Sequence, residues 1–230
     1  MSYKIKRYER DAEKSTEIRD GILRLVGYDV DLEHSQELLA IPEFTKESFE
    51  ENFVVKTAQW YVEDGWLVGK NPDMCPGMVV SKADFDGNIM LSATVKMMLP
   101  STHDVNFMIH GEWIDETNSR GNAYVAGLEA FWHGNVGFEK SPKYKLNAAT
   151  RLLSFDPERE YEFCLGNIKG KVFVLVDGVP CLEVNDPEPL DTEKYGKIGF
   201  EAFSSWIKVK NVKVVLLKVE KRQEYYNKEF

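Results

Sequence analysis

The chain has 230 residues, 43% hydrophobic and 29% charged, with 13 Phe, 10 Tyr and 5 Trp; that is enough apolar mass for one large core and excludes a disordered chain. Its net charge of −9 repels phosphate backbones and anionic lipid surfaces, so neither nucleic acid nor a membrane is an expected partner. Cys75, Cys164 and Cys181 are an odd number at wide spacings, which fits neither a disulfide framework nor a zinc pattern and points to reduced thiols.

The opening segment MSYKIKRYERDAEKSTEIRD has no apolar run of secretory length, and the expected location is cytoplasmic. No stretch approaches the length of a membrane span. TEIR-DG-ILRLVG (16–27) reads as a hairpin around Asp20-Gly21, and QWYVE-DG-WLVGK (59–70) repeats the device at Asp64-Gly65. FVLV-DG-VPCLEV (173–184) repeats it at Asp177-Gly178. Asp-Gly between apolar runs is a strong hairpin signal, because both residues tolerate positive φ. A Lys169-Gly170 turn joins EYEFCLGNI (160–168) to KVFVLV (171–176).

Between these hairpins, Thr45–Asn52 suggests a short helical turn, with Ser48 and Glu51 at capping-box spacing. Further strands are expected at 78–82, 89–98, 104–112, 123–133, 197–203 and 209–220, and WIDETNSRGN (113–122) reads as a loop. Some strands alternate with period two and others are apolar on both faces, as two stacked antiparallel sheets require. The expected fold is all-β, a two-sheet antiparallel β-sandwich with few short helices. It is read as a single domain: residues 1–43 an N-terminal extension or edge strands, 44–216 the core sandwich, 217–230 a charged tail.

Chemistry-bearing residues gather on two strands. In DVNFMIHGE, alternation puts Asp104, Asn106, Met108, His110 and Glu112 on one face. In AYVAGLEAFWH, Glu129, Phe131 and His133 share a face with Val125 and Gly127, opposite Trp132. Antiparallel pairing brings Glu129 near Asn106 and Met108. Amides and carboxylates bind hydroxyls directionally, and aromatic rings stack on the apolar faces of sugars. A carboxylate set among rings is partly desolvated, which raises its pKa and suits acid or base work. A solvated sheet face gives the same alternation; taken alone, Glu112 and His133 read as solvent or rim groups and Glu139 as a turn acid. The nucleophile-elbow, P-loop, dinucleotide and zinc-peptidase motifs are absent.

DGWLVGK (64–70), PGMVVSKADFDGNIMLSATVK (76–96), DVNFMIHGE (104–112), YVAGLEAFW (124–132) and the block VFVLVDG…GKIGFEAFSSWIKVKNVKV (172–214) resemble the concanavalin A-like lectin/glucanase superfamily. The chain looks closest to DUF1961 and, more distantly, to DUF1080, the 3-keto-disaccharide hydrolase-like family. The resemblance covers roughly residues 44–216. It implies a jelly roll with a concave, glycan-facing sheet, and a structural Ca²⁺ on the convex side, for which no ligand residues are identified. Other cofactors and the oligomeric state stay undefined.

The superfamily's Glu-x-Asp-x-Glu is replaced here by Glu129-x-Phe131-x-His133, which argues against a two-carboxylate mechanism on that strand. The expected function is a carbohydrate-active protein that cleaves a small glycoside, with a 3-keto-glycoside opened by elimination as one route. Glu129 and His110 are the candidate catalytic pair. Asn106, Glu112, Phe131, His133, Trp113 and Glu201 are the candidate substrate-binding residues. A non-catalytic glycan-binding module and a structural or subunit role stand as alternatives.

Overall fold

The computed structural model describes residues 17–101, 103–128, 135–151 and 155–222. Each expected Asp-Gly pair occupies a two-residue turn with both residues at positive φ. Asp20 (52°) and Gly21 (75°) join β1 (Glu17–Arg19) to β2 (Ile22–Leu25). Asp64 (51°) and Gly65 (78°) join β5 (Gln59–Glu63) to β6 (Trp66–Asn71). Asp177 (52°) and Gly178 (72°) join β16 (Lys171–Val176) to β17 (Val179–Asn185). Lys169 and Gly170 make the same turn between β15 (Glu160–Ile168) and β16. This turn's twist matches that of the flanking strands, so sequence at these points dictates both the reversal and the register.

Among the described residues there are two large antiparallel sheets. One has ten strands in the order β1-β2-β3-β19-β8-β15-β16-β17, with β3 at Tyr28–Ile41, β8 at Ile89–Met98 and β19 at Ser205–Lys221; β5 and β6 branch from it through β19. The other runs β14-β13-β12-β9-β18-β7-β4, with β4 (Phe53–Val55), β7 (Gly77–Ser81), β9 (Val105–Gly111), β12 (Ala123–Leu128), β13 (Val136–Ser141), β14 (Leu146–Thr150) and β18 (Lys197–Ala202). Alternation supplies the inner faces: Val105, Phe107 and Ile109 from one sheet meet Leu91, Ala93, Val95 and Phe163 from the other. Phe107 lies edge-on to Phe163 of the facing sheet at 4.8 Å, which joins the two sheets, and edge-on to Phe200 of its neighbouring strand at 5.0 Å. Burying each such side chain contributes about 1.5–3 kcal/mol.

From Glu17 onward the segment before Phe44 forms β1, β2 and β3 of the ten-stranded sheet, with β1 at its edge. Leu23, Leu25 and Val30 pack with Cys164, Phe173, Leu175, Val215 and Leu217 in a second cluster on the back of the ten-stranded sheet. The β2–β3 turn reaches the opposite edge, where the Val26 amide donates to Glu183 at 3.0 Å. The one helix among the described residues, α1 (Lys46–Asn52), is capped by Thr45, whose box partner is Ser48 rather than the Ser48–Glu51 pair expected.

Several expectations are corrected. Residues 113–122 form a small hairpin, β10 (Trp113–Ile114) with β11 (Ser119–Arg120), not an open loop. Glu139 is a strand residue in β13 and not a turn acid. Asn106 faces Gly127, and Met108 faces Val125.

His110 leaves the face of Asn106 because the β9–β18 register shifts there. Met108 pairs with Gly199 and Gly111 with Lys197, and His110 has φ 46°. The bulge turns the ring edge-on to the core residue Tyr124, with centroids 6.3 Å apart. His110 is 0% exposed, and neither ring nitrogen has a hydrogen bond of good geometry. Burial pushes its pKa down to about 4, although the Tyr195 backbone and the Asp86 charge favour the protonated ring.

The unfolded chain therefore takes up a proton on His110 below its ordinary value of 6.5 while the folded chain does not. His110 costs nothing above that value, and stability is lost as pH falls towards 4, by about 3 kcal/mol in all. Chemical denaturation between pH 7.5 and 4.5 will show a shallower acid-side loss in His110→Asn, which tolerates the left-handed backbone, than in the parent.

Candidate functional site

Alternation on the seven-stranded sheet leaves an outer face carrying Asn106 and Met108 from β9, Val125 and Gly127 from β12, Glu139 from β13, Met78 and Val80 from β7, and Glu201 from β18. The β10–β11 hairpin folds back over part of this face. Trp113 packs against the apolar half made by Met78, Val80, Met108, Ala123 and Val125. Lys56 holds the hairpin from the side through a 2.8 Å ion pair with Asp115.

The polar half is organised by Arg120, the last residue of that hairpin. Its Nη1 donates to Glu201, its Nη2 donates to Glu139, and its Nε donates to the Ser141 hydroxyl at 3.2 Å. Glu139 and Glu201 are only 2% and 3% exposed. Such charges persist in a protein interior only when paired and fully hydrogen-bonded. Burial raises the pKa of Glu139 above the ordinary carboxylate range, and the Glu201 charge adds to this, while Arg120 opposes it.

Asn106 stands directly opposite Glu201 in the β9–β18 ladder. Its Nδ2 donates to Glu201 and to Asp104, at 3.0 Å each. Carboxylates only accept, so this fixes which end of the amide faces them. Its Oδ1, turned towards β12, is buried without a hydrogen-bond partner. That oxygen needs a glycine beside it: a Cβ on Gly127 would sit 2.1 Å from it and 2.2 Å from the Val105 carbonyl.

Beside this constellation lies a cavity of about 590 Å³ walled by Met74, Pro76, His103, Asp104, Arg120, Tyr144, Asn147, Glu201 and Phe203. A second cavity of about 370 Å³ shares Pro76, Arg120 and Tyr144 and extends to Trp113, Glu139 and Ser141. Together they form a cleft whose size suits a small ligand. Tyr144 is 53% exposed at the shared wall, and Phe203 and His103 stand together with ring centroids 6.0 Å apart.

The sequence candidates divide accordingly. Glu201 and Trp113 line the cleft, and Asn106 supports its floor from beneath. Glu112 is a clamp within its own turn, accepting from the Asn122 amide at 3.0 Å and its Nδ2 at 2.7 Å, and His110 lies on the core side. Glu129, Phe131 and His133 lie outside the described residues. Sequence reasoning missed Arg120, Glu139, Tyr144 and Asn147. Among the described residues no group of three or more His, Cys, Asp or Glu side chains is arranged to hold a metal ion, and no helix is long and apolar enough to cross a membrane.

No family model matches the chain, and no curated protein matches it. Solved structures do. A protein of unknown function with a galectin-like fold from Bacillus subtilis aligns with TM-score 0.59 and 17% identity, covering 82% of this chain and 98% of that one. The carbohydrate binding module CBM66 from Bacillus subtilis aligns with TM-score 0.58 and 13% identity, covering 71% and 94%. A structure reported with endo-acting O-glycanases that initiate mucin breakdown in the human gut microbiota aligns with TM-score 0.58 and 14% identity, covering 78% and 99%. These likenesses establish the fold, a two-sheet antiparallel β-sandwich of galectin-like architecture.

Removing Arg120 leaves two buried carboxylates facing each other without a cation. Arg120→Leu is expected to lose about 3–5 kcal/mol of stability. The loss will be larger at pH 8 than at pH 5, because only protonated carboxyls tolerate the site. Denaturant titrations at the two pH values check this, and adding Glu139→Gln will restore part of the loss at pH 8.

Proposed function

We propose that the protein binds a small saccharide in the cleft between the β10–β11 hairpin and the polar half of the seven-stranded sheet. One observation carries the reading: a floor of buried, mutually fixed polar groups, Asp104, Asn106, Arg120 and Glu201, lies beside the exposed ring of Tyr144. Fixed acceptors orient hydroxyls without reorganisation, and a ring at the wall offers a stacking surface for a pyranose face. The carbohydrate-binding and O-glycanase structures that share the fold support the ligand class. The kinship to DUF1961 and DUF1080 belongs to the same proposal. Cytoplasmic residence is proposed with it, supported by three free cysteines, two of them buried.

A second reading, cleavage of a small glycoside, is favoured by Glu139, whose burial holds its carboxyl protonated to higher pH beside Glu201. A carboxyl that keeps its proton, set beside a second carboxyl, is the kind of pair that glycoside cleavage needs. With His110 on the core side, this pair takes the roles expected of Glu129 and His110. The 3-keto route uses the same two groups as acid and base.

Calorimetric titration with neutral mono- and disaccharides tests the binding reading. Tyr144→Ala is expected to weaken binding about tenfold, or about 1.4 kcal/mol; an unchanged affinity removes the cleft as the site. Cleavage requires new reducing or keto-sugar products, with turnover lowered by about 10²-fold or more in Glu139→Gln. A ligand that binds and is recovered intact leaves a binding module.

A further inference from the structure

An arginine on the floor of a sugar cleft ordinarily serves as a receptor for a carboxylate. Here that role is taken from inside. Nε of Arg120 is spent on Ser141, Nη1 on Glu201 and Nη2 on Glu139. Asp104 lies 4% exposed on the same wall. Two carboxyls thus hold one guanidinium and a third stands on the same wall, so the acids outnumber this cation. His103 is the other basic side chain lining the main cavity, and Lys143 lines the second cavity; Lys56, nearby, is held by Asp115.

The acids of the cavity wall point the same way. Glu201 and Asp104 line the main cavity, and Asn106 beneath them gives its Nδ2 to both. Carboxylates accept and never donate, so hydroxyls and ammonium groups bring the donors this wall can meet. Carboxylates and sulfates bring more negative charge to it.

We propose that the cleft, granted the saccharide reading above, selects by charge: it takes neutral or amine-bearing sugars and rejects carboxylated or sulfated ones, with Arg120 an internal counter-ion and not an anion receptor.

The test uses two matched series on the full chain at low salt: glucose, glucosamine and glucuronate, then galactose, galactosamine and galacturonate, followed by calorimetry or ligand-observed NMR. In at least one series the amino or neutral sugar is expected to bind about tenfold or more tightly than its uronate, with the gap narrowing as salt screens the site. Asp104→Asn and Glu201→Gln, each verified as folded, are expected to narrow the gap as well. Two separate positions are used so that the loss of one variant to misfolding does not remove the test. A uronate that binds as well as or better than its neutral parent overturns the inference and leaves the saccharide reading intact. A gap unchanged in both folded variants also overturns it. No binding by any of the six sugars counts against the saccharide reading itself and this inference with it.

Discussion

The Arg120 guanidinium, held between two buried carboxylates from non-adjacent strands, is the interaction on which the site depends. Glu139 comes from β13, Glu201 from β18, and Arg120 from a hairpin that neither strand touches in sequence. Removing water from three charges is costly, and only their mutual pairing offsets it. The triad therefore acts as a clamp. It closes only when the hairpin lies flat on the sheet, and that placement also seats Trp113 on its apolar patch. Wall and floor are thus fixed by one set of contacts.

The fold was largely legible in the sequence because its turns are local. Each Asp-Gly pair carries its own backbone preference, and the β8, β15 and β16 boundaries follow from the apolar runs beside them. The site was legible only in part. Asn106 and Glu201 were visible as polar residues at alternating positions, and the ladder places them opposite each other. Arg120 was hidden because its segment is short, polar and rich in turn formers, the signature of a loop, while its partners lie 19 and 81 residues away. His110 was misplaced for a different reason. Period-two reasoning fails at a bulge, and nothing in HGE announces one. Glu139 was misread because GNVGFEKSP looks like turn chemistry, although the chain makes strand from Val136.

The two sheets end up with different backs. The ten-stranded sheet is covered across its outer face by β2 and the start of β3, which bury Leu23, Leu25 and Val30. The seven-stranded sheet is covered only on its apolar half, and its polar half remains beside the cleft. The chain has used its extra segments to close one surface and to shape the other.

The last feature is β19. Its 17 residues, Ser205–Lys221, bond β6 over their first part, β3 over their later part, and β8 on the opposite side. Strands made early in synthesis, β3 and β6, can join the larger sheet only through the last of its described strands to be made. Such long-range pairing slows folding, since loops must close before contacts reward them. On a ribosome the earlier hairpins have their turns but not their common seam. The nascent chain therefore carries exposed strand edges until residue 221 has emerged, and the sandwich cannot be complete before that point.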